Sequence, residues 1–555
     1  MMQHFILDFT ADLQEIERFY KITISTSRLH RLEECISSKL EQLHLISFDS
    51  LDQEGQIDWL LSKNFLNRKL DQTRSQSQQV PELAEFLHPW AANLIELCEW
   101  RQRLVKFNGQ SAAHIFAEAT RSIKKTIEKL TQGKADTSKS GRYVADHASQ
   151  VIDEIHTGLT EAVGFYRGFD PLLTWWMSQP WEALSRSMIE LAKLIREKIV
   201  GSDTGGSSDI VGQPLGKEAL IKEIEAEFLP YTPEELVKIG EQELEWCERE
   251  LTKASHQLGY EDPKEALEHV KKTYVEPGEQ IHLVHALAKE AVDYIKDRDM
   301  TTIPKIANEY WQTYMMPPER QKVAPFFLGG DNILVAYPTD AMSHEDKLMS
   351  MRGNNPSFSR STVFHELVPG HHLQFHYMTR FRPYRKVFET SFWVEGWALY
   401  WEMVLWNGGF PAQTSQGYAT NEAENRIGML FWRMHRCARI IFSVKFHLGQ
   451  MTPDECIRLL VDRVGHERAT AEGEVRRSFN GDYSPMYQAG YMLGALQLMR
   501  LRQEMVHTDG QEKHFHDSVM KENTMPIELL RALLTNETLS PDRTSRWRFY
   551  DFKHE

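Results

Sequence analysis

From Asp8 to about Val200, apolar residues recur every three or four positions, with Gly and Pro too sparse to break the pattern. That spacing lays an apolar stripe along one helical face and is incompatible with the two-residue alternation of half-buried strands. Ala91–Leu104 and Pro180–Ile199 carry it most clearly, while Gln132–Gly141, rich in Gly, Ser, Lys and Asp, predicts a loop between helices. The run Gly201–Gly212 (GSDTGGSSDIVG) predicts a flexible linker. It divides the chain into a helical lobe at 1–200 and a second lobe at 213–555. A chain of 555 residues exceeds one simple core, since a domain holds about 100–200 residues.

The second lobe opens with Thr232-Pro233-Glu234-Glu235, a helix start in which Thr232 is the N-cap, Pro233 sits at the tolerated first position and Glu235 closes a capping box. Thr452-Pro453-Asp454-Glu455 repeats that grammar. Strand signals are rare. The best is Asn332–Tyr337, entered through Gly329-Gly330 and left through Pro338.

Charge and cysteine usage exclude several classes. With 64 Lys+Arg against 79 Asp+Glu, a net charge of −15 argues against nucleic acid as the main partner, because phosphate binding needs clustered bases. Five scattered cysteines without a Cys-x-x-Cys pair suit a reducing compartment, so the expected location is cytoplasmic. The N-terminal apolar run is broken by Asp8 and Asp12 and lacks a basic flank, which is not the pattern of a signal peptide. No stretch of about 18 uninterrupted apolar residues predicts a membrane helix.

The most informative segment is Phe364-His365-Glu366-Leu367-Val368-Pro369-Gly370-His371-His372-Leu373-Gln374. A zinc peptidase needs two imidazole ligands, a carboxylate beside the first and a third ligand from elsewhere. In the usual H-E-x-x-H spacing, positions i and i+4 share a helical face. Here i+4 is Pro369, which removes a hydrogen bond and kinks a helix, and Gly370 adds backbone freedom. The expected bulge brings His371 into the place of the i+4 histidine. His372, at i+7, lies about 10 Å along a straight helix, too far to share one ion, and is assigned to a supporting or substrate role.

Glu366 occupies the general-base position directly after His365. Downstream, Val394-Glu395-Gly396-Trp397-Ala398-Leu399-Tyr400 sets a carboxylate in an apolar and aromatic helical stretch. A buried carboxylate needs a partner, and zinc is a suitable one. Glu402, at i+7 from Glu395, shares its face and is placed to orient a ligand histidine.

His365-Glu366-x-x-Pro369-Gly370-His371-His372-Leu373-Gln374 resembles the signature of the bacterial domain-of-unknown-function 885 family, regarded as zinc metallopeptidases with a variant gluzincin motif. The resemblance runs from Pro214-Leu-Gly-Lys-Glu-Ala, through Pro230-Tyr-Thr-Pro-Glu-Glu-Leu, to Tyr487-Gln-Ala-Gly-Tyr491. Val-Glu395-Gly-Trp-Ala is similar to the third-ligand segment of gluzincin aminopeptidases. Gly370-His371-His372-Leu373 is similar to a run in thimet-oligopeptidase-like enzymes, which again selects His371. The Tyr-x-Ala-x-Tyr pattern resembles the tyrosine-bearing segment of those oligopeptidases. It implies Tyr491 as oxyanion donor, with Tyr487 second, and His447 matches a histidine position of the same enzymes.

Three further readings concern substrate. Gly490 and Gly494 permit close approach of a neighbouring backbone beside the tyrosines. Arg436 and Arg439, on an amphipathic segment, are of a type that holds carboxylates bidentately. The strand ending at Tyr337 is placed to pair with an extended substrate.

Together these readings predict a mainly α, two-lobed, zincin-like fold with a small β-sheet next to the zinc helix. The expected activity is hydrolysis of short peptides, with Zn²⁺ held by His365, His371 and Glu395 and the proton handled by Glu366. Peptide is the expected partner, without nucleic acid or membrane. Two alternatives are hydrolysis of a non-peptide amide and a catalytically inactive helical protein that binds peptide or metal.

Overall fold

Helices form wherever the three-and-four spacing runs, in a computed structural model that describes residues 1–105, 108–133, 138–168, 170–201, 210–321, 329, 332–413, 418, 421–481 and 483–552. The chain divides into two compact units, Met1–Gln213 and Pro214–Glu555. Most of the linker expected at 201–212 lies outside the described residues. Among the described residues no helix is long and apolar enough to cross a membrane.

The first unit is helical. Its long helices Gly109–Thr131, Lys139–Tyr166 and Pro171–Ile195 enclose a core that includes Phe116, Ile123, Ile152, Leu184 and Leu191. Each such side chain contributes about 1.5–3 kcal/mol relative to exposure. The N-terminal segment is part of this unit: helix Met2–Phe19 buries Met2, Ile6, Phe9 and Leu13. The predicted loop at Gln132–Gly141 ends early, because the Ser138 side chain accepts a hydrogen bond from Gly141 N (3.1 Å) and starts the helix at Lys139. The helix expected from Pro180 begins instead at Pro171 behind an Asp170 cap, with Pro180 in its interior.

In the second unit, α1 (Pro233–Leu258) begins at the predicted capping box: Thr232 Oγ1 accepts from Glu235 N at 3.2 Å and Glu235 Oε2 accepts from Thr232 N at 2.8 Å. The helices that matter below are α2 (Gln280–Asp297), α3 (Pro356–Glu366), α4 (His371–Met378), α5 (Ser391–Asn407), α6 (Glu422–His447) and α7 (Tyr487–Met505). Helix α5 packs along α7 at very short range: a Cβ on Gly396 would stand 2.8 Å from the Gly494 backbone, so both positions require glycine. That approach sets Glu395 of α5 against the tyrosines of α7.

Among the described residues the sheet has two strands, β1 (Thr313–Met315) and β2 (Ile333–Val335), paired in parallel with Tyr314 opposite Leu334. The predicted strand Asn332–Tyr337 is thus trimmed to its centre, and β1, three residues long, carried no signal in the sequence. Ile333 and Val335 pack with Val363 and Leu367 of the α3 end and with Leu283, Val284 and Leu287 of α2, so the sheet lies against the helix that carries His365.

Candidate metal centre

Helix α3 starts at an Asn355 cap, whose side chain accepts from Phe358 N at 3.0 Å, and delivers His365 one residue before its end. The segment after it is not the bulged helix expected from Pro369 and Gly370. Helix α3 stops at Glu366 and α4 begins afresh at His371. Between them Gly370 N donates to Phe364 O (3.0 Å) and Leu373 N to Leu367 O (3.3 Å), both six residues back. A Cβ at 370 would collide with the His365 carbonyl oxygen, so only glycine fits this crossing. The turn is tied to α5 by Trp397 Nε1, which donates to Pro369 O at 2.9 Å.

This break turns His371 back toward His365: the imidazole centroids stand 4.9 Å apart with their planes at 89°. Glu395 of α5 completes the group. Its Oε2 lies 3.1 Å from His371 Nε2 and 3.7 Å from His365 Nε2, and donor atoms of the three residues all lie within 4.8 Å of one another. Donor atoms around a tetrahedral zinc ion, with bonds of about 2.0–2.2 Å, stand about 3.3–3.6 Å apart. The two imidazoles and one carboxylate therefore fit a divalent zinc-type cation in chemistry, and the two separations to Glu395 Oε2 are close to that spacing.

A supporting layer holds these donors. His365 Nδ1 is 2.8 Å from Glu402 Oε1, which points Nε2 at the centre, and Arg436 Nη2 lies 3.5 Å from the same oxygen. Tyr487 donates its hydroxyl to Glu395 Oε1 at 2.5 Å. His371 Nδ1 lies 3.4 Å from Gln374 Oε1, and Gln374 Nε2 donates to Trp393 O at 3.1 Å. Gln374 and Arg436 are thus parts of the site to which the motif gave no role. The signal for Gln374 was its position at i+3 from His371, on the same helical face.

Burial and charge oppose each other here. Burial pushes the His365 imidazole down, yet Glu395 and Glu402 hydrogen-bond its cation and carry its pKa up to about 9. Burial pushes Glu395 up, but the two imidazoles outweigh it and hold the carboxyl well below its usual range. Without a cation, then, these carboxylates favour a proton on His365, which any metal ion entering the group would have to displace. Burial raises the Glu366 carboxyl, with His365 and His371 offsetting part of the effect. The Glu366 side chain abuts Gly329, where a Cβ would collide with its Oε2. Burial, then Glu395, raises the Tyr487 and Tyr491 phenols.

The remaining expected residues divide. Tyr491 is buried, its ring parallel to His365 at 6.3 Å between centroids, and its hydroxyl takes no hydrogen bond among the described residues. Tyr487 is committed to Glu395, so the role of oxyanion donor does not suit it. His372 faces away from the centre and contacts Ala307 O at 2.8 Å. Tyr337 follows β2, its backbone N donating to Gln321 Oε1 at 3.2 Å.

The structure does not bring His447 to the group. It ends α6 eleven residues past Arg436, about 16 Å along the helix, and packs on Phe446 and Phe479. Burial lowers its pKa to about 4, and burial lowers His466 and His516 to about 3. These groups stay neutral in the folded chain below pH 6.5, where the unfolded chain takes up protons. Stability therefore falls as pH drops from about 6.5 toward 4, by up to about 1.4 kcal/mol per unit for each group. Urea midpoints measured across that range check the slope, and His447→Gln is expected to reduce it; an unchanged slope would remove His447 from the account.

The same overall fold occurs in solved proteins. One is the "putative lipoprotein of unknown function" from Shewanella oneidensis, similar with a TM-score of 0.70 at 17% identity over 96% of this chain and 100% of that one. A second, from Colwellia psychrerythraea, has a TM-score of 0.60 at 13% identity, covering 96% and 98% of the two chains. No curated protein matches the chain. The family model described as bacterial protein of unknown function (DUF885) matches residues 22–534, and the chain belongs to that family.

Proposed function

We propose that this chain is a zinc-dependent peptidase of short peptides, built on a zincin-like arrangement of α3, α4 and α5. The observation that carries the reading is the convergence of His365 Nε2, His371 Nε2 and Glu395 Oε2, with Glu402 orienting the first imidazole from behind. A zinc ion there would polarise a substrate carbonyl and acidify a water. The chain's own residues do the rest. Glu366, next to His365 and raised by burial, accepts the water proton and returns it to the leaving amine. Tyr491, its hydroxyl uncommitted among the described residues, donates to the oxygen that becomes negative as the carbonyl is attacked. Tyr487 keeps Glu395 from rotating.

The test is cleavage of a synthetic peptide mixture, followed by mass spectrometry, with a panel of small amides beside it. Cleavage is expected from the zinc-supplemented chain, lost on chelation and restored by zinc. Stoichiometric zinc with no cleavage of any peptide would sink the reading, and cleavage of amides alone would move it to an amidohydrolase. Five free thiols fit a reducing compartment, and we place the protein in the cytoplasm. Cell fractionation tests that placement against the lipoprotein designation of the solved neighbours.

A further inference from the structure

Arg439 is only 4% exposed, yet its guanidinium makes a single hydrogen bond among the described residues, from Nε to Glu474 Oε1 at 2.6 Å. The Nη1 and Nη2 groups, which form the planar fork, have no partner there. Neither nitrogen is among the fully buried unpaired atoms, so the fork opens onto solvent-accessible space, where an acceptor arriving from outside can reach it. Arg477 approaches the same carboxylate from the other side, its Nε 2.8 Å from Glu474 Oε2, with its side chain 24% exposed. The two guanidinium groups also border the tyrosines: Arg439 lies 4.3 Å from the Tyr491 ring and Arg477 5.7 Å from that of Tyr483.

Two cations thus share one carboxylate, and among the described residues no neighbour supplies a second. His435 lies 3.6 Å from Glu474 Oε1 with His466 behind it at 2.8 Å, and burial keeps both imidazoles neutral. Arg436 has its own carboxylate in Glu402, and Glu395 is committed to two histidines and Tyr487. Among the described residues one positive charge remains in excess beside Tyr491.

We propose that Arg439 and Arg477 form an anion subsite that takes the C-terminal carboxylate of the substrate. A guanidinium fork matches a carboxylate bidentately, and a free C-terminus is the carboxylate every short peptide carries. The proposal rests on the peptidase reading and narrows its substrate class. The Tyr491 ring lies 6.3 Å from that of His365 and 4.3 Å from Arg439, so the guanidinium is within about 11 Å of the His365 ring. An extended chain covers about 3.3–3.6 Å per residue, so a carboxylate one or two residues past the attacked bond reaches the fork. The products are then a C-terminal amino acid or dipeptide.

The experiment is calorimetry of the full chain carrying Glu366→Gln, which spares the probe, with acetyl-trialanine and its C-terminal amide. The free acid is expected to bind about ten-fold more tightly than the amide, and Arg439→Gln or Arg477→Gln to bring the two probes level. Equal affinities, no binding of the acid at millimolar concentration, or a preference that survives both substitutions would overturn the subsite. Arg477→Gln, at the more exposed position, decides the matter if Arg439→Gln does not fold. The readout needs no turnover. An acid preference in a chain that never cleaves peptides would uphold the subsite and sink the peptidase reading, and an active peptidase without that preference would do the reverse.

Discussion

Glu366→Gln is expected to lower peptide cleavage by about 10²–10⁴-fold, the usual contribution of a positioned general base, while bound zinc stays at the wild-type level. The two halves of this result have separate causes. Glutamine keeps the size and shape of the side chain that abuts Gly329, so the local packing survives. It cannot accept a proton, and Glu366 is absent from the group formed by His365, His371 and Glu395, so the metal donors are untouched. Initial rates on a peptide found to be cleaved, beside metal content from the same preparations, separate these effects. An unchanged rate with full zinc would remove the general base and favour a chain that binds peptide without hydrolysing it. Loss of zinc together with the rate would instead make Glu366 a structural part of the centre.

What was legible in the sequence was what short-range geometry decides. The capping boxes at Thr232–Glu235 and Thr452–Glu455 form because their partners are three residues apart and need no tertiary contact. Glu395 and Glu402 share a face because seven residues make nearly two helical turns. The order of the two tyrosines was not legible from spacing. Both stand on the same face of α7, and only the close approach of α5 at Gly396 and Gly494 gives Tyr487 to Glu395 while the Tyr491 hydroxyl takes no hydrogen bond among the described residues. His447 shares a helix with Arg436, but its end of α6 packs on Phe479, which the motif could not foretell. Glu474 and Arg477 escaped notice for a similar reason: they come from a charged, surface-like stretch whose burial is created by α6 and α7.

His371→Ala is expected to weaken zinc binding by about 10³-fold, because one of three protein donors is lost and each donor of a four-ligand structural zinc site accounts for roughly 3–4 of about 10–16 kcal/mol. His372→Ala, one residue on, should leave zinc affinity nearly unchanged and lower thermal stability instead. The break between α3 and α4 makes the difference. It begins a new helix at His371 and turns that imidazole to within 3.1 Å of Glu395, while the next side chain is sent to the Ala307 carbonyl at 2.8 Å. Removing His372 leaves that carbonyl short of a donor, a loss of about 1–3 kcal/mol that falls on the fold and not on the metal. Competition titrations with a zinc chelator, read beside thermal melts of both variants, separate the two outcomes. Full zinc affinity in His371→Ala would break the ligand set, and loss of zinc in His372→Ala would mean that the second donor had been assigned to the wrong histidine.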